Sequence, residues 1–594
     1  MITKLYNIIC AGCVAVAFSS CMDTIILPDD KTVDEDFWKS KSDVALMVNG
    51  AYAAMSTEDV ISRLIVWGDF RSDEYVQSDE STANSDATAT ALSEIALANI
   101  QVTNKFATWS AFYTVINRCN IVLEKAAEMY TNGVDPNYTE GDYLADRSQM
   151  LALRSLCYFY LVRAFRDVPY IDVAYMNSSQ GRDFVQMSPA EVLQRCIESL
   201  QEAAPNALSS RSYQVGMWRR VGWMTQDAIY SLLADIYLWR ASVMHNPADY
   251  QQCVNYCNLV IQSKKEQHVL KRTEAVAPDY PLAEWKEMYG DLFVTQNAEE
   301  SIYEIQNTNN TAVLTYLYKY TGKDAAQAGY MAATGIFNAV AANPNTKGMQ
   351  VFPTNDIRYA ASLFSNTGVE TFAVRKMISQ NVLTQNKQES RATAGRSASG
   401  FNQNWIVYRL TDVILMKAEA LVQQVDTATF GLPEDEKKVK DSIATARLKE
   451  AFDLVAVVSK RATTDDQVLD WSKLKSTNHD GRDGMELLVM EERLRELCFE
   501  GKRWFDLLRY NYRHIEGVNY NAILGNIGEA ALPANYEPML SLMVRGRGTS
   551  GDGVKAKMTN EAYLYMPIPN ADVILAPGLK QNPVYSSSSE YERN

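Results

Sequence analysis

The stretch Met485–Tyr510, MELLVMEERLRELCFEGKRWFDLLRY, constrains this chain more than any other. Leu487, Met490, Leu494, Leu497, Gly501, Trp504 and Leu508 recur at spacings of three and four. That is the period of an amphipathic helix, or of two helices meeting near Gly501. Glycine inside a helix costs roughly 1 kcal/mol against alanine. A close backbone contact or a helix junction must therefore compensate at Gly501. Opposite charges sit between the apolar positions at helical pair spacing: Glu491 with Arg495, Arg493 with Glu496, Lys502 with Asp506, and Asp506 with Arg509. The pattern predicts a charged helical face laid on a core.

Composition narrows what such a core serves. The chain has 594 residues, 47% apolar and 22% charged, the balance of an ordinary soluble globular protein. A net charge of −15, with no Lys/Arg-rich block, argues against a nucleic-acid partner. The N-terminus has a different character. Lys4 gives a positive start, and the apolar run Ile8–Phe18 is too short to span a bilayer. Ser19-Ser20-Cys21 follows, so residues 1–20 read as a secretory signal peptide. The cysteine after a small-residue pair resembles a lipobox, with Cys21 the lipid-modified first residue of the mature chain. Residues 21–36 read as a polar tether. No later segment is long and apolar enough to span a membrane, so the expected attachment is by lipid anchor alone. Cys119, Cys157, Cys196, Cys253, Cys257 and Cys498 are scattered through apolar helical patterns and read as buried thiols, not a disulfide framework. Cys253 and Cys257 have no matching pair elsewhere, so no metal site is expected.

Helical periods recur along the chain. They predict helices over Asp43–Met55, Trp109–Glu128, Tyr143–Phe165, Trp218–Ser242, Tyr250–Ser263, Tyr408–Gln423 and Ser442–Arg461. Ser188-Pro189-Ala190-Glu191 predicts a further helix start with a capping box. Residues 67–94 turn polar and read as a long loop. From about 270 to 405 the helical period fades; Glu300–Gln306 alternates like a strand. The predicted fold is mainly α, in antiparallel-capable helix pairs, with a loop-rich second half holding a few short strands.

Catalytic motifs are missing. His245, His268, His479 and His514 form no His-x-x-x-His pair and adjoin no nucleophile setting. No phosphate-binding glycine loop is present, and no cofactor is expected. A glycosidase carboxylate pair stays open on sequence alone. Glu492 and Glu496, among neighbouring arginines, read as structural charges.

Several strings, taken in order, resemble the SusD/RagB family of nutrient-binding outer-membrane lipoproteins of Bacteroidetes. They are Phe37-Trp38 with Asn49-Gly50-Ala51-Tyr52; Leu151–Ile171; Glu300–Gln306; Asp356-Ile357-Arg358; Arg409, Asp412, Ala418 and Glu419; Glu492–Leu497 with Glu500–Arg509; and Tyr563–Tyr585. The resemblance spans the mature chain. It implies a tetratricopeptide-like helical scaffold, with residues 37–265 as an N-terminal helical region and 266–594 as a C-terminal region packed with it as one unit. It further implies non-catalytic capture of a nutrient at the cell surface, at the outer membrane and facing the exterior. Delivery would be to a SusC-like TonB-dependent transporter. The implied ligand is a glycan; a peptide, as for RagB-type relatives, is the alternative, and a surface glycoside hydrolase a lesser one. The family's ligand residues lie in variable loops, so no binding site transfers residue by residue. Sugar rings stack on aromatic faces while their hydroxyls need polar partners. Aromatic and polar residues in expected loops are therefore the candidates: Trp67, Asp69, Arg71, Asp73 and Tyr75 in the first, and Trp285, Tyr289, Tyr316, Tyr318, Tyr320 and Tyr330 in the second.

Overall fold

A computed structural model describes residues 37–78, 86–176, 180–181, 183–272, 279–283, 289–307, 317, 319–322, 329–337, 351–352, 356–363, 373–378, 403–426, 432–462, 469–527, 537–543 and 550–586. The expected signal peptide, Cys21 and the tether lie outside the described residues.

The apolar periods become helices close to where they are read. The first half runs α1 Lys41–Met55, α2 Glu58–Asp69, β1 Tyr75–Gln77, α3 Ala87–Ala96, α4 Ser110–Thr131 and α5 Glu140–Phe165. It continues with β2 Val168–Pro169, β3 Gln186–Met187, α6 Pro189–Ala203, α7 Arg219–Gly222, α8 Gln226–Val243 and α9 Pro247–Arg272. The second half holds β4 Ser301–Ile305, β5 Met331–Ala333, α10 Ile357–Ser362, β6 Trp405–Arg409, α11 Leu410–Gln423, α12 Glu434–Ala462, α13 Gly481–Leu497 and α14 Arg503–Arg513. Then come α15 Glu537–Met543, α16 Ser550–Met558 and α17 Asn570–Leu575. Capping chemistry sets several starts. Thr139 and Asp142 form a capping box on α5. At α6 the predicted box is half made: the Glu191 amide donates to Ser188 Oγ, while the Glu191 carboxylate accepts from the Ser188 hydroxyl at 3.0 Å.

Successive helices pack side by side: α4 on α5, α5 on α6, α8 on α9, α9 on α11, and α11 on α12 and α13. This is the helix pairing the periods predicted, in the tetratricopeptide-like stacking the resemblance implied. Among the described residues the strands form three two-stranded antiparallel sheets. One of them pairs β1 with β5, Tyr75 opposite Ala333. Another pairs β4 with β6, Ile305 opposite Trp405, so the two ends of the loop-rich stretch are tied just where α11 begins.

Two readings need correction. Residues 67–94 are no single loop: they hold the end of α2, β1 and most of α3. The helix predicted over Trp218–Ser242 is broken between Gly222 and Gln226. A Cβ on Gly222 would meet Gln306 Cγ at 2.7 Å, and the backbone of Thr225 is extended ahead of α8. The break lets the segment beyond β4 press against the chain.

The opening stretch forms two helices, α13 and α14, and Gly501 lies between them at φ +73°. Its charges are not laid on the surface. Glu492, Arg493, Glu496, Glu500, Arg503, Asp506 and Arg509 are all buried. Asp506 meets Arg509 at 2.7 Å as predicted, and Glu491 stands 3.8 Å from Arg495. Arg493 instead pairs with Asp506 at 2.8 Å and Asp412 at 3.0 Å, and Lys502 with Asp412 at 2.7 Å. Glu496 receives Arg409 at 2.6 Å, Arg358 at 3.0 Å and Arg461. Burial alone would raise the Glu496 carboxyl; Arg461, Arg409 and Arg358 together hold it well below the usual range.

Candidate functional site

The residues singled out on sequence grounds turn inward. Trp67 donates its indole N–H to the Phe106 carbonyl at 2.8 Å and stacks on Phe112. Asp69 accepts the amides of Gly501, Lys502 and Arg503 at 2.7, 3.0 and 3.3 Å, so it caps α14 from a distant segment. Burial lifts its pKa to about 7 against the pull of those amides. Arg71 donates to the Leu564 carbonyl at 2.6 Å and lies over the Trp504 ring. Asp73 pairs with Arg503 at 2.8 Å. Tyr75 packs edge-on between Phe70 and Phe499. Tyr289 donates to the Arg375 carbonyl, Tyr320 packs on Phe70 and Phe106, and Tyr330 donates to Asp86. All of these are buried, and each has an internal partner. Trp285, Tyr316 and Tyr318 lie outside the described residues.

The structure brings a different set to the surface. Between α6 and α8 the chain makes a short turn, Ser210–Ser212, then a second at Gly216, whose φ is +88°. A positive φ of that size suits glycine. The turn throws Val215, Met217 and Trp218 outward, and Trp218 keeps 41% of its surface exposed. Trp223, half-buried, meets Trp218 edge-on at 5.5 Å and Tyr213 edge-on at 5.9 Å. The Arg219 guanidinium lies 5.4 Å from the Trp218 ring and 5.2 Å from that of Trp223. The result is an aromatic ledge whose geometry is fixed by ring-to-ring and cation–π contacts.

Two cavities adjoin the ledge and share Val215. The larger, about 470 Å³, is lined by Arg211–Val215, Arg220 and Gln267. The smaller, about 210 Å³, runs past His268, Asp291 and Gln296–Glu300. The floor is a buried polar network. The Gln267 side-chain amide donates to Ser210 Oγ at 2.9 Å, Asp227 at 2.9 Å and Ser263 Oγ at 3.1 Å, and its oxygen accepts from Arg220 at 2.7 Å. Beneath it, Lys264 donates to the carbonyls of Glu299 and Ser301 at 3.0 and 2.6 Å. Burial, with the Arg220 charge nearby, pulls its pKa down to about 7.

The rings stand edge-on to one another, and Tyr213 lines the larger hollow together with Arg220 and Gln267. The carboxylates at hand are engaged: Glu300 is gripped by Arg409 and Arg461, and Glu299 stands 3.1 Å from His268. Among the described residues no group of three His, Cys, Asp or Glu is placed to hold a metal ion. Trp218 and Trp223 were legible in one respect. Residues five apart do not share a helix face, so both could not join the buried face of a single helix.

Residues 261–585, more than half of the chain, match the family model described as "SusD family". The chain belongs to the SusD family. A second model, described as "Starch-binding associating with outer membrane", matches residues 27–238. Among curated SusD-like relatives, SusD-like protein P38 of Formosa agariphila is 23% identical over 517 residues, 83% of this chain and 88% of that one. Solved structures share the SusD fold. A SusD homolog from Bacteroides thetaiotaomicron superposes with a TM-score of 0.65 at 17% identity, covering 94% of this chain and 100% of its own. NanU of Bacteroides fragilis does so with a TM-score of 0.58 at 15% identity, covering 95% and 100%. Among the described residues, no helix of this SusD-family chain is long and apolar enough to cross a membrane.

Proposed function

We propose that this protein captures a glycan at the outer membrane without cleaving it, and passes it to a SusC-like TonB-dependent transporter. Cys21 carries the lipid anchor in this reading, and the body faces the cell exterior. Family membership supports the carbohydrate class and the outer-membrane setting. The single observation that carries the reading is the ledge of Tyr213, Trp218 and Trp223 beside a hollow lined by Gln267 and Arg220. Rings held rigidly at the surface lose little side-chain entropy when a sugar stacks on them.

The test is calorimetric titration of the purified chain against a panel of neutral oligosaccharides and short peptides. A neutral oligosaccharide should bind and be recovered intact. Trp218→Ala should weaken that binding about tenfold or more, equivalent to at least ~1.4 kcal/mol. Binding of peptides alone, release of shortened saccharides, or full affinity in Trp218→Ala would each overturn the proposal.

A further inference from the structure

A separate cleft of about 360 Å³ opens where the segment after α3 meets the C-terminal segment. Its wall is largely polar: Asn99, Gln101 and Asn570 contribute side-chain amides, and Tyr563 and Tyr585 contribute rings set edge-on at 6.0 Å. Among the described residues one charged side chain, Lys557, lines it, and no Asp or Glu does.

That charge balance runs against the rest of the molecule. The chain carries 72 acidic residues against 57 Lys and Arg. Several of its surface lysines find acids: Lys41 meets Asp142, Lys125 meets Glu128, Lys265 meets Asp279, and Lys440 meets Asp426, all within 2.7 Å. Lys557, half-buried, meets only the neutral Oδ1 of Asn99, at 3.1 Å, among the described residues. An ammonium has three N–H donors. Two of them are left without an acceptor from the described chain, at the edge of a hollow that also presents amides and a ring. The hydrogen bond to Asn99 is exposed to solvent, so an anion drawn to Lys557 is held by an attraction that salt screens.

We infer that this cleft is a second saccharide site, which holds the anionic group of an acidic sugar, a carboxylate or a sulfate ester, on Lys557 and lays the sugar ring against Tyr563. The amides of Asn99, Gln101 and Asn570 then face the sugar hydroxyls. The inference rests on the reading of this protein as a glycan holder, but on none of the residues of the Trp218 ledge.

Glucose, glucuronate and glucose 6-sulfate titrated into the full mature chain test it. Whichever anionic sugar fits should bind about tenfold or more tighter than glucose, and the preference should shrink as salt is raised. The glucuronate and sulfate arms tell the two anions apart. Lys557→Gln should erase the preference. Asn99→Asp, at an exposed position, supplies the missing acid and should erase it too. Trp218→Ala should leave it intact. Equal binding of glucose and both anionic sugars, or a preference that survives Lys557→Gln in a folded protein, would overturn the inference. So would a simple dipeptide displacing the sugar acid from Lys557. If neutral oligosaccharides still bind in a Trp218-dependent way, such a failure leaves the ledge standing; if no saccharide binds at all, both fail.

Discussion

Gly501 shows how much a single position decides. Its φ of +73° is costly for any residue with a Cβ, by about 1–2 kcal/mol. A Cβ there would also meet the Leu64 carbonyl and the Trp405 ring, each at 2.9 Å. On the facing helix, a Cβ on Gly68 would fall 2.1 Å from the Gly501 oxygen. The two backbones touch, and the amides following Gly501 reach Asp69 for that reason. Gly501→Ala should therefore lose about 2–4 kcal/mol in urea unfolding; a loss below about 1 would show that the turn relaxes freely. The sequence offered a close contact or a junction at this residue, and both are present. Lys264 was not legible in the same way, because nothing local marks it as buried. Its proton is released near pH 7 when folded and near 10.5 when unfolded. Between those values the unfolded chain binds more protons, so stability should rise with pH by up to about 1.4 kcal/mol per unit. Asp227, Glu299 and Glu300 temper the burial from the acidic side, and Arg220 reinforces it. Lys264→Met should flatten that slope in denaturant titrations run from pH 7 to 9; an unchanged slope would assign it to another group. The ring residues Trp67, Tyr75 and Tyr320, read as loop aromatics, lie in the core for a related reason. A ring that stacks on a sugar and a ring that stacks on Phe look alike in sequence. The choice is made by contacts such as the Tyr75–Ala333 pairing, far apart along the chain.

At the scale of elements, periodicity located α13 and α14 and even the boundary between them. It did not reveal which way the charged face looks. Spacing of three or four reports only local partners, whereas the partners of Glu496 come from α10, the junction of β6 with α11, and α12. A buried carboxylate surrounded by arginines contributes little net stability compared with an apolar isostere, but removing it strands its partners. Glu496→Gln should cost about 3 kcal/mol by thermal or urea unfolding. The exposed pair Lys449–Asp453, broken by Asp453→Asn, should cost below about 0.5 kcal/mol. Equal losses at the two sites would mean that the inner network is as well hydrated as the surface. The broken helix before α8 was unreadable for a similar reason: the Gln306 side chain that occupies the space at Gly222 arrives from beyond β4.

At the scale of the whole molecule, the two halves named on sequence grounds are stitched through their cores. Helix α9 packs on α11, and Tyr408 donates to Asp235 at 2.9 Å. Buried Arg166 reaches the carbonyls of Ala522 at 2.9 Å and Asn519 at 2.6 Å, and Asp167 accepts the Leu524 amide at 2.6 Å. The Trp109 indole donates to Asp572 at 2.8 Å, and the Met566 amide to the Ala164 carbonyl at 2.8 Å. Cutting the chain after residue 265 would remove all of these contacts and leave Trp109 and the Ala164 carbonyl without the partners named here, while the Arg166 and Asp167 side chains would keep only each other. Each buried group left unsatisfied costs about 1–3 kcal/mol, and more where charge is involved. Several at once match the whole net stability of a typical domain, about 5–15 kcal/mol. To that is added the apolar surface of α8 and α9 bared to water. A fragment of residues 37–265 should therefore keep helical circular dichroism but bind a hydrophobic dye and melt without a sharp transition. The full mature chain should unfold cooperatively. A fragment with its own steep transition and no dye binding would mean that the helical array is complete without α11, and that the two halves are separable after all.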